Sequence, residues 1–155
     1  LNVQSFQIPR RWALVPVRLV LGIGFVAHGA AKFNRGPEQF ARLLALLHVP
    51  MQLPMAWMVT SLELLGGIAL LAGAFVAIAS IPLIGTMVVA MVTIHVHYGF
   101  SAVNTIGLSA TGPILGPPGY EINLLYIAAL VAVAAGGPTP ASVDSLIASR
   151  RRGTA

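Results

Sequence analysis

The amino-acid sequence predicts an all-α integral membrane protein, a bundle of four transmembrane helices with an interfacial amphipathic helix between the first and second. Two observations carry this. Hydrophobic residues make up 57% of the 155 and charged residues only 8%, against about 25% charged in soluble domains, and the mean hydropathy is +0.86. The apolar residues also gather in four stretches, about 12–32, 55–73, 75–98 and 120–135, near the ~20 residues that cross a hydrocarbon core of about 30 Å. Residues 1–155 read as one transmembrane domain without internal repeat.

The polar lead Asn2–Arg11 ends in Pro9-Arg10-Arg11. It lacks the apolar core of a secretory signal, and the stretch from Trp12 is too long to be one, so it is expected to stay as a span. In this first helix Arg18, Gly22, Phe25, Gly29 and Lys32 lie along one stripe at 100° per residue, with His28 on its flank. Charged groups in lipid cost roughly 2.5–3.5 kcal/mol each on insertion scales, so this stripe needs partners.

Asn34-Arg35-Gly36-Pro37 breaks the helix. Residues 38–48 follow with Phe40, Leu43, Leu44 and Leu47 at helical spacing and Arg42 opposite, a segment expected to lie on the membrane. The second span carries Glu63, with Gly66 and Gly67 allowing close helix approach. A very short connection makes the third span its antiparallel neighbour. That span ends in H-V-H-Y, where His95 and His97 are about 200° apart on a regular helix.

Residues 99–119 form a 21-residue loop without a charged side chain, expected to fold over the membrane surface as a lid. The fourth span runs through Glu121, Asn123 and Tyr126 to Ala135, and Gly136-Gly137-Pro138 ends it. Ser142–Ile147 suggests a short amphipathic turn before Arg150-Arg151-Arg152. Four spans place both termini on one side, and its five arginines, 10, 11 and 150–152, outweigh Lys32, Arg35 and Arg42. The positive-inside rule then puts both termini in the cytoplasm.

With that topology His28, Lys32, His95, His97 and Glu121 reach the outer level from three helices. Arg18 and Glu63 lie at heights about 7 Å apart, within reach of a buried ion pair. The ligand-binding candidates are therefore Arg18, His28, Lys32, Glu63, His95 and Glu121, set in a polar pocket at the outer helix ends; no catalytic residue is assigned. The absence of cysteine removes disulfides, thiolate metal sites and iron–sulfur ligation, and no metal site is expected. The net charge of +5 comes without a basic face or motif for nucleic acid.

The runs R-L-V-L-G-I-G-F-V-A-H-G-A-A-K-F, L-E-L-L-G-G-I-A-L-L-A-G, H-V-H-Y-G-F and G-Y-E-I-N-L-L followed by G-G-P-T-P-A-S-V-D resemble the DoxX family of small four-helix bacterial membrane proteins. The resemblance implies an inner-membrane location and a link to redox systems, since relatives include the membrane subunit of a thiosulfate:quinone oxidoreductase. The family's polar positions match Arg18, His28, Gly29, Lys32, Glu63, His95 and Glu121, while S-A-T-G-P-I-L-G-P-P-G lengthens the loop.

Several functions stay open on this reading. The chain could be an oxidoreductase subunit binding a quinone, with His28 or His95 donating to a carbonyl and Glu121 taking a proton. The alternative is a non-enzymatic membrane anchor or assembly subunit. Haem held by His28 and His95 requires both rings to aim at one cavity, and solute transport lacks broken, repeated helices. The expected partners are the lipid bilayer and either another protein or a second copy of the chain.

Overall fold

The computed structural model describes residues 9–153; the polar lead before Pro9 lies outside them. Among the described residues six helices occur in order: α1 (Arg10–Arg35), α2 (Pro37–Leu46), α3 (Gln52–Ala72), α4 (Val76–Thr93), α5 (Glu121–Ala135) and α6 (Val143–Gly153). A 3-10 turn over His95–Tyr98 follows α4. Between that turn and α5 lie two antiparallel strands, β1 (Thr105–Ser109) and β2 (Gly112–Leu115).

These strands give the loop 99–119 regular structure within an otherwise helical fold, which remains consistent with an all-α membrane protein. Thr105 pairs with Leu115 and Ser109 with Gly112, with an irregularity between Thr105 and Gly107. The sequence signal is weak because Gly and Pro are spread among the β-formers. The third span also stops being an α-helix at Thr93 rather than Tyr98, and the expected amphipathic turn near the C-terminus is an 11-residue helix.

Four helices close a ring: α1 packs on α3, α3 on α4, α4 on α5, and α5 back on α1. Within it Leu21, Phe25, Leu70, Val76, Leu83, Leu130 and Val133 form the buried core, and Phe25 meets Tyr126 edge to face at 5.5 Å. The outside of the ring is apolar. Ile81, for example, is 71% exposed in the middle of α4, which fits a helix whose solvent is lipid rather than water. Among the described residues three helices, α1, α3 and α4, are long and apolar enough to cross a membrane. The apolar α5 is shorter, at 15 residues, or about 22 Å.

The tightest seam joins α1 to α3. A side-chain carbon at Gly67 would stand 2.7 Å from the backbone nitrogen of Val26, and one at Gly29 would stand 2.6 Å from that of Leu64. Glycine at both positions lets the backbones touch, so polar groups on the facing stripes come within reach of each other.

Candidate functional site

The α1 stripe faces the bundle. Arg18, Gly22, Phe25 and Gly29 are buried and Lys32 half-buried, while Leu19, Val20, Ile23 and His28 are exposed. One turn beyond the Gly29 contact, the Lys32 ammonium donates to the buried Glu63 carboxylate. The ring of Phe40 on α2 lies 5.1 Å from the same ammonium. Helix α2 thus covers the ion pair on one side, and a cation beside an aromatic face gains further stabilisation there. Phe33 and Trp57 stack edge to face at 6.2 Å, bridging the adjoining parts of α1 and α3.

Arg18 has a different partner from the one its height suggested. It is 2% exposed and engages no carboxylate by hydrogen bond: Nη1 donates to the carbonyls of Leu70 at 2.7 Å and Leu71 at 2.9 Å, and Nη2 to that of Ala141 at 3.2 Å. The carbonyls of the last helical turn have no partner within the helix, and the guanidinium fork is shaped to take several. The expected Arg18–Glu63 clasp is therefore replaced by two interactions, because α1 and α3 are antiparallel and Glu63 meets the opposite end of the stripe.

The same end holds a second set of caps. Gly73, at φ +64°, leads the chain out of α3, and Ser142 and Arg18 crowd the space where a side chain would stand. Asp144 accepts from the backbone N–H of Phe75 at 2.8 Å and Val76 at 3.1 Å, satisfying the start of α4. Its own N–H donates to Gly73. Ser142 caps α6 by accepting from the N–H of Ser145. The segment after α5 thus binds the α3–α4 turn to Arg18.

At the opposite end His95 and Glu121 hold the segments that flank the hairpin. His95 donates from Nδ1 to the Pro118 carbonyl at 2.9 Å, which leaves Nε2 as the acceptor of the neutral ring. Glu121 accepts from the Ala102 N–H at 2.8 Å, and the N–H groups of Gly119, Tyr120 and Glu121 donate to Ser101, Gly99 and Phe100. His97 is exposed. His28 is exposed on α1, which lies diagonal to α4 in the ring.

Sequence reasoning passed over Asp144 and left Asn123 without a role. Ser142 two residues ahead of Asp144, before an apolar-periodic run, is a helix-start signal that marks the acid as a capping residue. Asn123 is 3% exposed, and its side-chain oxygen has no hydrogen-bond partner. Its Nδ2 lies 3.4 Å from the Met87 carbonyl. Among the described residues no group of three or more His, Cys, Asp or Glu side chains is placed to hold a metal ion.

Fold and polar interior together define a small polytopic helical membrane protein that pairs or caps most of its intramembrane charges within the chain. The family model described as DoxX matches residues 13–96, more than half of the sequence, and the chain belongs to the DoxX family. The match takes in Arg18, His28, Lys32, Glu63 and His95 and stops before the hairpin, Glu121 and Asp144. No curated protein and no solved structure matches the chain.

Proposed function

We propose that the chain is the non-enzymatic membrane subunit of a redox system, anchoring a partner protein at the bacterial inner membrane. The observation that carries this reading is the state of the expected ligand groups. Arg18 is spent on carbonyls, Lys32 on Glu63, His95 on Pro118 and Glu121 on Ala102. A ligand using them would first have to break contacts that hold the bundle and hairpin together, which is costly where a buried charge loses its partner. The redox assignment comes from the family resemblance.

In this reading α5 and the segment after it form a fourth span. Arg11 and the start of α6 lie at the Arg18 end, and the arginine-rich sequence flanking both supports cytoplasmic termini. Purification in mild detergent tests the proposal. A reproducible soluble partner without co-purifying quinone is expected; bound quinone without a partner overturns it.

One observation favours the second reading, a quinone or similar ligand in the bundle. The unpartnered Asn123 oxygen is a buried acceptor between α4 and α5, and a quinol hydroxyl is a donor of the required kind. Asn123 would orient such a ligand and His95 Nε2 could accept a proton. Loss of quinone binding in Asn123→Leu with the fold retained supports this reading, and unchanged binding removes it.

A further inference from the structure

The end of the molecule that holds Arg11 and the start of α6 carries a cavity. Its volume is about 340 Å³ and it is lined by Arg11 of α1, by Pro138, and by Ser145, Ala148 and Ser149 of α6. We infer that this cavity binds the headgroup of an anionic phospholipid bearing free hydroxyls, of the phosphatidylglycerol type.

Charge comes first. The Arg11 side chain has no ion pair or hydrogen bond among the described residues, and the one acid nearby, Asp144, is occupied by the N–H groups of Phe75 and Val76. The sequence flanking the cavity-lining residues of α1 and α6 is otherwise basic. An arginine next to a bilayer pairs with phosphate oxygens through its forked donors.

The serines then narrow the headgroup. Ser145 donates its hydroxyl proton to the Ser142 carbonyl at 2.7 Å, and Ser149 donates to Leu146 at 2.9 Å. Both protons are committed, so each Oγ offers the cavity only lone pairs. Phosphate oxygens are acceptors as well and gain nothing from them. A ligand that satisfies the whole lining needs an anionic group for Arg11 and hydroxyl donors for the two serines, which a glycerol-bearing phosphate ester supplies. Trp12 is exposed on α1 directly after Arg11, as is common for aromatic residues at the membrane–water boundary, and so places the cavity at headgroup depth. The lipid form of this chemistry is favoured over a soluble phosphate ester on that ground. The inference rests on the chain being embedded in lipid and is independent of the anchor reading.

The test uses the full chain in phosphatidylcholine nanodiscs doped with phosphatidylglycerol or phosphatidic acid, released for native mass spectrometry. Wild-type protein is expected to retain phosphatidylglycerol in preference to both other lipids. Arg11→Gln should weaken that retention roughly tenfold, the scale of one charge-assisted hydrogen bond. The double variant Ser145→Ala, Ser149→Ala should keep anionic lipid but hold phosphatidylglycerol no better than phosphatidic acid. If the double variant misfolds, exposed Ser149→Ala alone should reduce the preference. Equal retention of all three lipids by wild-type protein, or unchanged retention by Arg11→Gln, overturns the inference. Displacement of the lipid by millimolar glycerol 1-phosphate assigns the cavity to a soluble phosphate ester and overturns the lipid source.

Discussion

Arg18 closes the end of α3 by donating from one nitrogen to the carbonyls of Leu70 and Leu71, at 2.7 and 2.9 Å. A charge carried on one helix thereby completes the backbone hydrogen bonding of its antiparallel neighbour. In lipid no water is present to take over that task.

Replacing Arg18 by Met should therefore lower stability by about 2–4 kcal/mol, since the Leu71 and Ala141 carbonyls lose the guanidinium donor and the Leu70 carbonyl keeps only the Gly73 N–H. Arg18→Lys should recover only part, because one ammonium cannot reproduce the planar fork. Thermal unfolding in detergent measures both, and an Arg18→Met protein as stable as wild type contradicts the capping role.

For Lys32 and Glu63 a double-mutant cycle is decisive. Lys32→Met and Glu63→Met should each destabilise by about 2–4 kcal/mol by leaving the other group unpaired, whereas the double variant should recover at least half of the summed loss. Additive losses would mean that the pair is not coupled.

Asp144→Ala should cost about 1–2 kcal/mol, the range of a lost helix cap. Asp144→Asn keeps an acceptor and should fall between. Hydrogen exchange at Phe75 and Val76 should accelerate in the alanine variant, and protection equal to wild type there would show that another group caps α4.

At the α1–α3 seam, Gly67→Val should separate the helices. Its Cβ would sit 2.7 Å from the Val26 nitrogen and 2.9 Å from the Gly22 carbonyl oxygen, both backbone atoms that cannot swing aside. A loss of about 2 kcal/mol or more is expected, and Lys32 should become accessible to amine-reactive labels as its contact with Glu63 opens.

His95→Phe should free the hairpin without unfolding the helices. Faster hydrogen exchange across residues 99–119, with α1 and α3 unchanged, is the expected pattern; uniform acceleration would place His95 in the core of the fold instead.

Much of this architecture was legible in the residues. The spacing of Arg18, Gly22, Phe25, Gly29 and Lys32 announces the packing face of α1, because a polar and small stripe in an apolar helix has to turn away from lipid. The short link at Gly73 likewise announces the antiparallel pairing of α3 and α4. The hairpin was not legible, since its strands are short and broken by Gly107, Gly112 and Pro113, and two-residue periodicity is hard to discern in so brief a run. The partners of the polar groups were legible only in part. Helical rise locates Arg18 and Glu63 along their axes to within several ångströms, but the choice between a carboxylate and a free carbonyl turns on rotation and on which chain segment lies alongside.

Composition and periodicity by themselves determined that this chain is a membrane protein built of apolar helices whose few charges must turn inward, because hydrocarbon penalises an unpaired charge wherever it falls in the sequence. Only the tertiary structure decided which group answers which: Lys32 took Glu63, and Arg18 took the open end of α3 and Ala141. That choice is set by the register of two antiparallel helices at a glycine seam and by a C-terminal segment that returns from more than a hundred residues away, and neither is encoded in any local stretch of residues.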